Sequence, residues 1–325
     1  MKISMKIALV TAGCLMQVAA ANSQSKIPGE TRNAALRYWM AFADMQDSPA
    51  DKATQALLEK TAAGEAPWDE AKLGPILDKN EEAIRRMQRA TKLPECDWGL
   101  EYSLGPRASV AYVSRARVLG RLNTLSGMRL VAKGDSSHAV NAWLAGIKFS
   151  QHLAQGGTLL STLVAKSVLI SNINAITQAS RHGSLSPEEK AAALKTIQAL
   201  PEAGMNWSAA WNFDASSTQQ GIEEIFDSKD RKLAYENLFV EAMPPNVVFP
   251  GAEMKKEFRE YMANVGEALR LPTEQSEIRI RELEQDRKKL DALLQSLVPS
   301  PIRINDSRKE VKAARVLAIQ ALRPN

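Results

Sequence analysis

Histidine and cysteine are almost missing from this sequence, at 3 and 2 of its 325 residues. That scarcity excludes most metal and thiol chemistry. His138 and His152 stand 14 positions apart, which on one helix separates them by roughly 21 Å at about 1.5 Å per residue. They cannot share an ion. His-Glu-x-x-His, paired Cys-x-x-Cys and calcium-loop spacings do not occur, nor does a nucleophile elbow or a phosphate-binding glycine loop. Neither a metal nor a cofactor is expected. Aromatics are sparse as well, at 6%, and no alternation of apolar and polar residues runs long enough for a sheet. The expected fold class is all-α.

What is present begins with Lys2 and Lys6, an apolar run from Ile7 to Met16, and the small residues Ala19-Ala20-Ala21. This pattern reads as a secretory signal over residues 1–21, too short and wrongly flanked for a transmembrane anchor. Thr11-Ala12-Gly13-Cys14 is an imperfect lipoprotein box, so a lipid anchor at Cys14 is the lesser alternative. The protein is accordingly expected to be periplasmic or secreted. Without those residues the 42 basic side chains fall to 40 against 37 acidic ones, a mild excess. Cys96 is then the sole thiol, and no intramolecular disulfide can form. A nucleophilic cysteine needs a base and an electropositive setting. No motif supplies them around Cys96, which reads as a packing residue.

Helical periodicity covers most of the rest. Asn33 to Met45 reads as a short helix with Leu36, Trp39, Met40 and Ala43 inward, and Asp51 to Ala62 as a second. After a loop from Gly64 to Gly74, Pro75 opens a helix through Ile76, Leu77, Asn80, Ile84 and Met87 that ends before Pro94. Arg107 to Ser180 carries a hairpin turning at Gly134-Asp135, then an apolar segment whose only charge is Lys166; such a helix must be buried. Ser186-Pro187-Glu188-Glu189 combines a capping box with a first-turn proline. A helix from Pro201 reaches Phe226, with a break possible in the polar stretch Asn212 to Gly221. Met243 to Gly251 reads as a loop, Ala252 to Leu271 and Pro272 to Leu297 as two helices, the latter in heptad spacing, and Ser307 to Leu322 as a basic amphipathic helix. The expected division is 22–200 and a C-terminal helical region, 201–325, packed on it.

Gly127, the turn Gly134-Asp135, Ala139, Trp143 and Gly146 stand where the small and aromatic positions of a helical-hairpin repeat stand. About residues 120–153 therefore resemble one tetratricopeptide repeat, with Gln151 in place of the usual proline and no second copy in register. The resemblance implies stacked helical hairpins forming a bundle or short irregular solenoid. Asn33-Ala34-Ala35 with Tyr38-Trp39, and Cys96-Asp97-Trp98-Gly99, resemble an uncharacterised group of exported bacterial helical proteins. That resemblance implies export and a helical fold, and no known activity.

Between Tyr102 and Pro187 there are nine basic residues and one acid, Asp135. Arg117, Arg121 and Arg129 are the candidates for docking an anionic partner; the competing reading pairs the basic residues with Glu223, Glu224, Asp227 and Asp230. Trp207 and Trp211, one turn apart, are either core or an aromatic platform for a partner. No aromatic-interleaved basic motif suggests nucleic acid. The function expected is a non-catalytic binding or scaffold protein for another protein or a cell-envelope component. The alternative is a hydrolase whose carboxylates, Asp214 with Glu223 and Glu224, meet only in three dimensions.

Overall fold

Small polar side chains start many of the described helices. Asn33, Asp51, Asp69, Asp135, Thr158, Ser186 and Asn206 each accept a hydrogen bond from a first-turn backbone N–H, satisfying donors that a helix leaves open. A computed structural model describes residues 31–46, 51–239 and 252–323. The signal segment, Cys14 and the loop Met243 to Gly251 lie outside the described residues. The helices are α1 (Ala34–Asp44), α2 (Lys52–Ala63), α3 (Glu70–Lys79), α4 (Glu81–Ala90), α5 (Tyr112–Ala132), α6 (Ser136–Ala154) and α7 (Leu159–Arg181). They continue as α8 (Pro187–Gln198), α9 (Trp207–Asp227), α10 (Arg231–Phe239), α11 (Ala252–Arg270), α12 (Thr273–Arg287), α13 (Ala292–Leu297) and α14 (Pro301–Leu322). A 3-10 turn, Tyr102–Arg107, leads into α5. No strand occurs among the described residues; a single bridge joins Asn33 to Glu95. The fold is all-α.

Helices α5, α6 and α7 pack on one another at the centre. Two close approaches hold them: Gly127 lies under the Trp143 indole and Gly146 under the Asn172 amide. By length and composition α7 could cross a membrane, yet α5, α6, α8, α9 and α14 pack against it, as the burial of Val164, Leu169, Ile173 and Ile176 requires. α1 packs on α4 and α5, while α11 packs between α9 and α12. α14 returns to α7 and α8, so the last helix closes the bundle against the middle of the chain.

Several boundaries differ from the sequence expectation. α1 turns its other face inward: Ala34, Ala35, Tyr38, Ala41 and Phe42 are buried, while Leu36, Trp39 and Met40 are 52%, 40% and 51% exposed. Pro75 lies inside α3, not at its start. The break comes instead at Asn80, whose buried side chain accepts from Gln46 N at 2.9 Å and donates to Ile76 O at 2.9 Å. Pro201 begins a turn, and α9 starts at Trp207 under the Asn206 cap and runs unbroken through Asn212 to Gly221. The helix expected to reach Leu297 stops at Arg287. Gln295 then closes that gap by donating to Lys288 O and Leu290 O at 3.1 and 2.7 Å. The last helix begins earlier than Ser307, with Pro301 in its first turn.

Candidate functional site

One face of α4 is apolar and the other carries charge, and this decides where a cleft forms. Ala83, Ile84, Met87 and Ala90 are buried, which leaves Arg85 and Arg89, with Lys92 in the turn that follows α4, on an exposed edge. That edge faces the α5–α6 hairpin across a cleft of about 960 Å³. Arg129, Lys133 and Lys148 supply the hairpin's charge, so the walls hold six cationic side chains against two carboxylates, Glu81 and Asp135. Leu77, Ile84, Leu130 and Leu144 give the cleft an apolar component. Beneath it Gln88 Nε2 donates to Asn123 Oδ1 at 2.9 Å and Asn123 Nδ2 donates to Ala142 O at 2.8 Å. This buried chain of hydrogen bonds ties α4, α5 and α6 together and sets the spacing of the walls.

The cations are unequally engaged. Arg129 is gripped by Glu70 and Asp78, both at 2.5 Å, and these contacts hold its pKa above the usual guanidinium value and that of Glu70 below the usual carboxylate range. Arg85 and Arg89 pair with Glu82 at 3.0 and 2.8 Å, in exposed contacts that contribute little. Lys133 reaches Glu70 only at 3.8 Å. No described carboxylate lies within ion-pair distance of Lys92 or Lys148, both of which are exposed. These two lysines are the charges a partner would meet first. The i, i+4, i+7 spacing of Arg85, Arg89 and Lys92 is the sequence signal for this wall; it is overlooked when attention goes to the basic excess after Tyr102.

The residues singled out from the sequence disperse. Only Arg129 belongs to the cleft. Arg117 and Arg121 sit elsewhere on α5, beside α2 and α7, lining a hollow of about 370 Å³, with Arg121 paired to Glu59 at 3.0 Å. Trp207 and Trp211 are 2% and 0% exposed, and their indole N–H groups donate to Ala203 O and Met262 O at 2.9 and 2.8 Å. They belong to the core, and neither ring face is free to serve as a platform. Five of the nine basic residues of the middle, Arg107, Arg121, Arg129, Lys133 and Lys166, pair with acids, and only Arg107 does so with one of the expected acids. Arg107 finds Glu224 at 3.0 Å, whereas Arg121 and Arg129 use α2 and α3, and Lys166 uses Glu310 of α14 at 2.6 Å.

The carboxylates considered for hydrolysis are not assembled. Glu223 and Glu224 line a hollow between α9 and α10 that does not include Asp214. Asp214 stands nine residues earlier on α9, on the order of 13 Å away along the axis and past the separation that a glycosidase pair tolerates. It caps α7 instead, accepting from Leu159 N at 3.1 Å. Cys96 is half-buried, and burial with the nearby Asp97 charge pushes its thiol up to about 12. The thiol stays protonated and unreactive. Among the described residues no cluster of His, Cys, Asp or Glu is arranged to hold a metal.

Two buried groups away from the cleft give a test by pH. Burial pushes Asp214 up to about 6, against the pull of the Leu159 N–H. Since an unfolded aspartate titrates near ~3.9, its protonation favours the fold, an advantage complete below about 4 and lost as pH rises through 6. His152 is buried with Nδ1 2.7 Å from the Tyr38 hydroxyl, and burial, aided by Lys148, pushes its pKa down to about 4. An unfolded histidine titrates near ~6.5, so this advantage is complete above that value and lost as pH falls toward 4. The two slopes oppose each other across the same window. Asp214→Asn removes one of them and keeps an oxygen for Leu159 N. Urea unfolding should find the variant more stable than the wild type at pH 7.5, by on the order of 2 kcal/mol. The variant should also lose stability more steeply down to pH 4.5. Parallel profiles would refute the assignment.

In comparisons with known proteins, no family model, no curated protein and no solved structure matches this chain.

Proposed function

We propose that this protein is an exported, non-catalytic helical binding protein whose α4/α5/α6 cleft receives an acidic segment of another protein. The observation that carries this reading is the cleft itself: six cations, two acids and an apolar component in about 960 Å³, with Lys92 and Lys148 unpaired by any described carboxylate. Cationic walls attract an acidic chain over about a Debye length, ~8–10 Å at physiological salt. The half-buried Leu130 and Leu144 offer contacts for its apolar side chains, which a purely polar ligand would not use. Export rests on the sequence pattern of Met1 to Ala21, and the hairpin's likeness to a tetratricopeptide repeat supports a binding role by analogy.

The test uses fluorescein-labelled (Glu-Ser)6 and (Gln-Ser)6 peptides and fluorescence anisotropy. The acidic peptide is expected to bind, with affinity falling as salt rises, and the neutral peptide is expected not to. Lys92→Glu with Lys148→Glu should weaken binding at least ten-fold, while Arg117→Glu with Arg121→Glu leaves it within two-fold. Equal binding of the two peptides, or a loss caused by the second pair of changes and not by the first, would overturn the reading.

A further inference from the structure

A second site stands on the opposite logic, one buried cation in place of many exposed ones. Arg308 of α14 is 3% exposed. Its Nη1 donates to Ser276 Oγ at 3.0 Å and Asn305 Oδ1 at 2.9 Å, and its Nη2 to Leu271 O. Every one of those acceptors is neutral, and its Nε–H has no acceptor at all among the described residues. The nearest acids, Glu202 and Glu274, are both held by Lys312, Glu202 at 2.5 Å. A guanidinium buried without a carboxylate against it is costly. Burial accordingly pulls its pKa down, with those two distant acids only partly restoring it.

Arg308 forms part of the wall of a pocket of about 400 Å³ between the start of α9 and the α11–α12 corner. Trp207 and Ser208, the first residues of α9, line it too. This is the N-terminal end of a 21-residue helix with no acid in its first turn, where free N–H groups and the helix dipole favour a negative charge. Glu202 is the one carboxylate in the wall, and Lys312 and Thr273 already occupy it. Arg270, on the rim, is paired with Glu267 at 2.6 Å. Asn206 also lines it, its Oδ1 already accepting from Ala209 N at 3.0 Å, and the remaining lining is apolar: Pro201, Ala203, Met205, Leu269, Leu271 and Pro272. A pocket of this size is at the small end of those that hold ligands.

We infer that this pocket binds a small organic acid, its carboxylate against Arg308 and the first turn of α9, and its short aliphatic stem against the exposed Pro201, Leu271 and Pro272. A carboxylate supplies what the wall lacks, a counter-charge for the guanidinium. The site is separate from the α4–α6 cleft, and neither depends on the other.

The experiment is isothermal titration of the purified protein with hexanoate, with its neutral isostere hexanamide, and with N-acetyl-alanyl-leucine, which presents the same carboxylate at a peptide terminus. Hexanoate is expected to bind saturably with one site per chain, and hexanamide at least ten-fold more weakly. Should the dipeptide bind and hexanoate not, carboxylate recognition stands and the free acid is replaced by a chain terminus as its source. Leu271→Trp, at a 40% exposed position in the pocket wall, adds bulk there, keeps the main-chain carbonyl to which Arg308 donates, and should weaken hexanoate at least ten-fold. Arg308→Met should do the same. The hexanoate and hexanamide comparison on the wild type decides the matter even if that variant fails to fold. Equal binding of acid and amide, no binding of either acid, or hexanoate affinity retained in Leu271→Trp would each overturn the inference.

Discussion

Replacing Trp98 with alanine should lower the unfolding free energy by about 3–5 kcal/mol, the range for deleting a large buried aromatic. Trp98 is 3% exposed and lies at the centre of a ring cluster. It stacks on Tyr112 at 4.3 Å, Tyr38 at 5.5 Å and Phe42 at 6.2 Å between centroids, and its Nε1–H donates to His152 O at 2.9 Å. Through these contacts one residue of a loop joins α1, α5 and α6. The loop is fixed to α1 a second time by Asn33, whose Nδ2 donates to Asp97 O at 2.7 Å and whose Oδ1 accepts from Asp97 N at 2.8 Å and from Ala35 N at 3.0 Å. Trp98→Phe keeps the stacking and loses the indole donor, so it should cost much less, about 1–2 kcal/mol more than a hydrogen-bond-neutral change. Chemical denaturation of both variants, with hydrogen exchange on α1, is the measurement. Loss of protection in α1 well before global unfolding is expected for Trp98→Ala. A uniform loss, or a cost equal to that of Trp98→Phe, would show that the cluster does not anchor α1.

That cluster also shows what could and could not be read from the residues in order. Asn33-Ala34-Ala35, Tyr38-Trp39 and Cys96-Asp97-Trp98-Gly99 stand out in the sequence as two separate motifs, and nothing in their spacing says that they form one joint. Helix α1 has apolar residues on two faces. The face with Leu36, Trp39 and Met40 is the more hydrophobic, and a periodicity argument selects it. The structure buries the other because Tyr38 and Phe42 have Trp98 to pack on. The decision belongs to a residue 60 positions away, which a local pattern cannot contain.

The start with a full capping signature was legible, since a cap is a local event: Ser186 with Glu189 forms the reciprocal box its spacing announces, whereas the starts expected at Pro75, Pro201 and Ser307 lie elsewhere. Interior breaks were less legible. Asn80 looks like one more position on an inward face, and only its bonds to Gln46 N and Ile76 O make it the end of α3. The cleft was the least legible. Its charge is a difference between cations and the acids that satisfy them, and Glu70, Asp78 and Glu82 reach the rim from helices whose placement is tertiary. Counting basic residues along the chain pointed to Arg117 and Arg121, which occupy another face. Lys92 and Lys148, 56 positions apart, never enter one window.

Gly127→Ala should be strongly destabilising. A Cβ at this position would stand 2.3 Å from Trp143 Nε1 and 2.6 Å from its Cε2, distances at which the indole has to move. The indole is 1% exposed and its Nε1–H donates to Thr124 O at 3.0 Å, one turn before the glycine on α5. Displacing the ring therefore strains a packed interior and breaks a buried hydrogen bond together. Overpacking of this kind costs about 1–3 kcal/mol, and an unsatisfied buried donor about 1–3 kcal/mol more. Helix propensity works the other way, since alanine is favoured over glycine by about 1 kcal/mol, so a net loss of about 2–4 kcal/mol is expected. The origin can be isolated by a double-mutant cycle with Trp143→Phe, whose smaller ring leaves room for the methyl and has no donor to orphan. The alanine should cost much less in that background, or become stabilising, and the coupling energy should exceed about 1 kcal/mol. Equal costs in the two backgrounds would mean that Gly127 is not held small by Trp143. The contact joining α5 to α6 would then have to be sought at Asn123, whose side chain donates across that hairpin to Ala142 O.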